Sequence, residues 1–120
     1  MSDLITISQE IQKKIKDLES KRAAIKKLSE DKARTIAAYR KALALTIAKL
    51  KNGVEIELED QLIKNPPATV MLSLAHGICW KEKLEAVRSE AYYKALITSM
   101  EAVQNEMNGY QSINRYLDKA

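Results

Sequence analysis

The residues best suited to chemistry are few: one histidine, His76, and one cysteine, Cys79, three positions apart. On a helix that spacing brings two side chains together, and an imidazole beside a thiol can draw off its proton to make a thiolate nucleophile. No glycine-framed nucleophile motif surrounds Cys79, Gly77 interrupts the stretch between the two, and a cysteine next to Trp80 in an apolar run is expected to pack as a buried thiol. No catalytic residue is assigned. One His and one Cys fall short of the ligand set that zinc takes. Glu55, Glu57, Glu59 and Asp60 offer oxygens to a hard cation, but without the glycine and regular spacing of a calcium loop, so they are expected to form a solvated acidic rim. No metal and no cofactor are expected. Glycines at 53, 77 and 109 stand too far apart for a phosphate-cradling loop. Glu82 with Glu85, and Glu101 with Glu106, read as the wet face of an amphipathic helix rather than as a paired acid and base.

The elements that carry these residues follow from composition. The chain has 120 residues, 46% hydrophobic and 30% charged, with only 3 Gly and 2 Pro and no Phe. That is the composition of a single helical domain spanning 1–120. A lone cysteine and a start, Met1-Ser2-Asp3, without a basic-then-apolar run point to a reducing, cytoplasmic compartment. The longest uncharged stretch, Asn65 to Trp80, holds both prolines and a glycine and is too short to cross a bilayer, so no membrane span is expected.

From Leu4 to Leu50 apolar residues recur at helical steps: Leu4, Ile7, Ile11, Ile15, Leu18, Ile25, Leu28, Ile36, Tyr39, Leu43, Ile47 and Leu50. This predicts a first helix over about 4–52, with Thr6 and Gln9 as a capping box and Asn52-Gly53 as its left-handed close. Glu10 with Lys14, Asp17 with Lys21 and Glu30 with Arg34 are acid-before-base pairs four apart. The segment 53–77 connects. Its period-two run, Val54 to Glu59, lacks an evident strand partner, so a loop leading into a helical turn over Glu59 to Lys64 is expected, stopped by Asn65-Pro66-Pro67. Ala68 to His76 is expected to be a short helix that Gly77 ends. A second long stripe, Trp80, Leu84, Val87, Ala91, Tyr92, Leu96, Val103, Met107, Tyr110, Ile113 and Leu117, predicts a helix over about 78–117 that kinks or frays at Asn108-Gly109.

A helix of roughly 45 residues is about 68 Å long, against a diameter of roughly 35 Å for a compact domain of this size. The chain is therefore all-α: a long, coiled-coil-like antiparallel helical hairpin with a short intervening helix. The alternative is a four-helix bundle made by breaks near Ser29 and Gly109. Two helices leave apolar surface uncovered, so the hairpin implies self-association or a protein partner.

The formal net charge of +4 divides into +7 over residues 1–53 and −3 over residues 54–120. Oppositely biased halves that pack together neutralise each other, and the cations of the first helix scatter around its wheel. Tyr92 and Tyr93, beside Lys94, are the candidate partner-binding spot, because tyrosine contributes contact area at little entropic cost. The alternative is nucleic-acid contact through Lys26, Lys27, Arg34 and Lys41.

Two segments carry a resemblance. Lys32-Ala33 through Tyr39-Arg40-Lys41-Ala42-Leu43-Ala44 to Leu50, and Pro67-Ala68-Thr69 with Leu74-Ala75-His76-Gly77 and the later Ala91-Tyr92, resemble a group of small all-helical phage and prophage proteins, mostly of unassigned function. The resemblance covers about residues 32–95 and departs at Gly53 to Pro66, where this chain carries extra acids. It implies a phage-derived, non-enzymatic protein in a bacterial cytoplasm. Such a protein is expected to bind a host or phage protein and to inhibit or redirect a replication, repair or defence complex.

Overall fold

The computed structural model of the chain describes residues 2–119. It is all-α with one small sheet: α1 (Ser2–Lys51), β1 (Ile56–Leu58), β2 (Gln61–Ile63), α2 (Ala68–Ile78) and α3 (Trp80–Lys119). The long helices α1 and α3 pack antiparallel and the short α2 lies between them in sequence, so the topology is the helical hairpin. Neither Ser29 nor Asn108-Gly109 breaks a helix. The chain divides into two compact units, one formed by the residues up to Ser29 with those from Ala91 onward, the other by Glu30–Glu90. Among the described residues no helix is long and apolar enough to cross a membrane.

In the first unit a strict seven-residue repeat decides which side chains go inside. On α1 the buried and half-buried positions include Leu4, Ile7, Ile11, Lys14, Leu18, Lys21, Ile25 and Leu28; on α3 they include Tyr93, Leu96, Met100, Val103, Met107, Tyr110, Asn114 and Leu117. Both sets alternate steps of three and four, the 3.5-residue period of a coiled-coil seam. That period corrects the apolar stripe at Ile15, which is exposed, while Lys14 takes the inward position. Lys14 is tolerated there because its stem covers apolar surface and its ammonium reaches Glu106 on α3 at 2.6 Å. Of the acid-before-base pairs, Asp17 with Lys21 forms at 3.2 Å. Glu10 instead meets Lys13, and Arg34 meets Asp31, each three residues away. The capping box does not form, because α1 begins at Ser2 and Thr6 lies inside it.

The second unit, Glu30–Glu90, buries Leu50 among mostly small side chains. Leu50, Ala75, Cys79 and Ala86 are buried, and the hydroxyls of Thr35 and Thr46 go inside with them. Thr35 donates to the Lys32 carbonyl at 3.1 Å, and Thr46 Oγ1 shares a 3.3 Å hydrogen bond with Cys79 Sγ. α1 ends as expected: Gly53 adopts φ +74, and Val54 N–H reaches back to the Lys49 carbonyl at 3.0 Å, closing a Schellman turn.

The connecting segment differs from expectation. Ile56-Glu57-Leu58 forms a strand, and its partner is the next run, with Ile56 opposite Ile63, Glu57 opposite Leu62 and Leu58 opposite Gln61. The two-residue turn at Glu59-Asp60 has φ of 47 and 64, both left-handed, as a tight hairpin turn requires. The period-two pattern was itself the strand signal; Gln61 to Ile63, read as a helical turn, supplies the ladder. Gly77 does not end α2, which runs to Ile78. Only Cys79 separates α2 from α3, and its N–H still bonds to the Ala75 carbonyl at 3.0 Å.

Lys14 makes the seam sensitive to alkali. Its hydrogen bond to Glu106, reinforced by the charges of Glu106 and Glu10 and opposed by partial burial, raises its pKa above the ordinary lysine value of 10.5. A raised lysine pKa contributes stability that is intact below the ordinary value and lost as pH climbs through the raised one. Thermal melts of the wild type and Lys14→Met should therefore differ near neutrality and converge at pH above 10.5. A gap that persists unchanged at high pH contradicts the ion pair.

Candidate functional site

The strongest surface feature lies in the unit Glu30–Glu90. Cys79 and Ala86, seven apart, face inward, and this fixes the orientation of the first turns of α3. Trp80, Leu84 and Val87, at i, i+4 and i+7, therefore form a continuous outward stripe, with Trp80 52% exposed. The sequence stripe had these three, with Ala91, as the packing face; the structure corrects that assignment. The small residues at 79 and 86 win the inner positions because they fit against Thr46 and its neighbours on α1, where an indole would not. Tyr92 and Ile113 of the same stripe are also exposed, in the other unit, where Tyr93 and Asn114 take the seam positions.

Two grooves border α2. One, about 420 Å³, is lined by Leu58, Glu59, Gly77 and Trp80. A Cβ on Gly77 would meet Leu58 Cδ2 at 3.8 Å, ordinary contact distance. The other, about 520 Å³, is lined by Ile47, Leu50, Lys51, Asn65, Pro66, Ala68, Met71 and Leu72. Val70 and Leu72 on α2 are exposed apolar residues as well.

Several polar groups around these surfaces have partners. Tyr39 Oη and His76 Nδ1 share a 2.6 Å hydrogen bond, and the Lys83 ammonium stands 5.1 Å from the Tyr39 ring centroid. Lys81 lies 5.6 Å from the Trp80 ring centroid. Arg88 pairs with Glu85 at 3.3 Å and Lys64 with Glu55 at 3.9 Å.

The chain matches no protein-family model, no curated protein and no solved structure. Its function is therefore argued from its own residues. His76 and Cys79 each make a different hydrogen bond, to Tyr39 and to Thr46, and the thiol is only 3% exposed. Thiolate nucleophiles work in accessible, electropositive surroundings; here the sulfur faces a threonine hydroxyl in a packed core. Among the described residues no three His, Cys, Asp or Glu side chains gather to hold a metal ion.

Of the candidate partner-binding residues, Tyr92 and Lys94 are exposed and Tyr93 is half-buried in the seam, with Tyr93 and Lys94 both engaged in interactions. Lys26, Lys27, Arg34 and Lys41 are all exposed; the first two belong to one unit and the last two to the other. Arg34 is held by Asp31 at 3.2 Å. Trp80, Leu84 and Val87 were legible as an apolar stripe but not as a surface. The signal that sorts them is the seven-residue spacing of Cys79, Ala86 and Tyr93, which marks a second face on the same helix.

A buried Cys79 should react slowly with a thiol reagent such as dithionitrobenzoate in the native protein and at once in denaturant. The native rate should rise with urea as the fold opens. Fast, stoichiometric labelling without denaturant would show that the thiol is accessible.

Proposed function

We propose that this chain is a non-enzymatic accessory protein that acts by holding another protein against the outward face of α3 at Trp80, Leu84 and Val87. The observation that carries this reading is the pairing of two facts on one helix. The inner positions are already filled by Cys79 and Ala86, and a second stripe of large apolar side chains remains in water beside a groove. Covering what is still exposed of these three side chains is worth on the order of 1 kcal/mol each. A tryptophan flanked by leucine and valine is the composition of a binding hot spot. The reaction chemistry the sequence offered, His76 with Cys79, is taken up in structural hydrogen bonds.

The resemblance to small phage and prophage helical proteins gives the biological setting of this reading: a bacterial cytoplasm, and a host or phage protein whose replication, repair or defence assembly is blocked or redirected by steric occupation. Nucleic-acid contact is the second reading. Arg34, Arg40 and Lys41 lie exposed on the later part of α1, and this favours it to the extent that they gather within a few turns. Binding of that kind falls steeply with salt and weakens on charge reversal at Lys41.

Tagged protein passed over bacterial lysate should retain a discrete partner, at least tenfold less of which is held by Trp80→Ser/Leu84→Ser, on the order expected for a hot-spot loss. Circular dichroism of the double variant should stay helical, because both side chains are about half exposed. Retention of the same partner by wild type and variant alike would place the contact elsewhere. Salt-sensitive retention of DNA or RNA by both would favour the second reading.

A further inference from the structure

The groove at the hairpin end of this face carries a chemical preference. It is lined by Leu58, Glu59, Gly77 and Trp80. The hairpin that supplies Leu58 and Glu59 holds Glu55, Glu57, Glu59 and Asp60, all exposed. The strands and their turn, residues 56–63, hold no cation; Lys64, just after β2, is paired with Glu55 at 3.9 Å. The half-exposed indole already has the Lys81 ammonium within cation–π range, at 5.6 Å from the ring centroid. An indole and the Glu59 carboxylate that line one groove suit a planar, delocalised cation, which stacks on a ring and hydrogen-bonds to oxygen at once.

Beyond the groove the surface becomes apolar and electrically quiet. Leu84 and Val87 continue from Trp80 at helical spacing, Lys83 lies over Tyr39, and Arg88 is paired with Glu85. A ridge at i, i+4, i+7 receives the apolar side of another helix.

We propose that the occupant is an amphipathic helix of a partner protein that sets an arginine into the Leu58–Glu59–Gly77–Trp80 groove and apolar residues along Leu84 and Val87. This rests on the binding reading above and adds the partner's chemistry: basic at the hairpin end, apolar along α3. The acidic hairpin supplies orientation and rate of encounter, and the stripe supplies the buried area. Lys81 competes for the indole and opposes the incoming charge.

The test uses two dye-labelled helical peptides of alanine and leucine, identical except that one carries two arginines at one end and its twin two glutamates. Binding to the full chain is read by anisotropy and by the fluorescence of Trp80, the single tryptophan. The arginine peptide should bind about tenfold or more tightly than the twin and weaken as salt is raised. Glu57→Lys/Glu59→Lys should abolish the preference without loss of helix signal. Lys81→Ala should tighten the arginine peptide. Gly77→Ala should stabilise the fold, since alanine is the better helix former, while weakening the peptide by narrowing the groove.

Equal binding of the two peptides, or a preference that survives the double charge reversal, overturns the proposal. If neither peptide binds yet Trp80→Ser/Leu84→Ser still loses the lysate partner, the basic partner is wrong and the binding face stands. If neither peptide binds and those variants retain the partner, both fail. Burial of Trp80 that depends on protein concentration and shuts out the peptides would make the occupant a second copy of this chain, which also overturns it.

Discussion

Helix pairing in this protein depends on a seam whose inward positions alternate three and four residues apart. A straight helix turns once in about 3.6 residues, so only a strict 3.5-residue pattern keeps one line of side chains facing a partner helix. In the unit that contains both chain ends, Leu18, Leu28, Leu96, Val103 and Leu117 keep that line apolar, and Lys14 holds its place by reaching Glu106. In the unit Glu30–Glu90 the buried positions are, apart from Leu50, small or hydroxylated: Thr35, Thr46, Ala75, Cys79 and Ala86. The first arrangement stabilises by apolar area; the second takes hydroxyls inside, and every buried side-chain polar atom among the described residues is satisfied.

That difference explains how much the sequence disclosed. Two long helices are visible from composition and period alone, because few breakers interrupt either and tertiary packing has no need to override propensity. Gly53 is legible as the close of α1, since a left-handed residue is needed there and Asn52-Gly53 provides it. The inner and outer faces of α3 are not separable by hydrophobicity, because near its start the larger apolar residues point outward and the smaller ones inward. A ranking by size puts Trp80, Leu84 and Val87 inside; a ranking by spacing puts Cys79 and Ala86 there. Ile15 and Lys14 repeat the lesson, since a charged stem occupies the seam while isoleucine faces water. The β-hairpin was hidden for another reason: Glu59-Asp60 lacks the glycine or asparagine that announces a tight turn, yet adopts the left-handed backbone such a turn needs.

The candidate site follows from these constraints. A helix whose inner face is occupied by small residues has its bulk to spare on the outer face, and the acidic hairpin stands at one end of that exposed stripe. His76 and Cys79, the pair with residue types suited to chemistry, hydrogen-bond to Tyr39 and Thr46 rather than to each other. What remains is a surface of mixed character, apolar along α3 and negative at the hairpin.

The most direct measurement is collisional quenching of Trp80, the single tryptophan, by acrylamide in dilute solution. If Cys79 and Ala86 form the inner face, emission should lie near that of indole in water and quenching by acrylamide should be efficient. Blue-shifted emission that resists acrylamide at every protein concentration, and is exposed only by denaturant, would put the indole inside the helix pair and contradict the account.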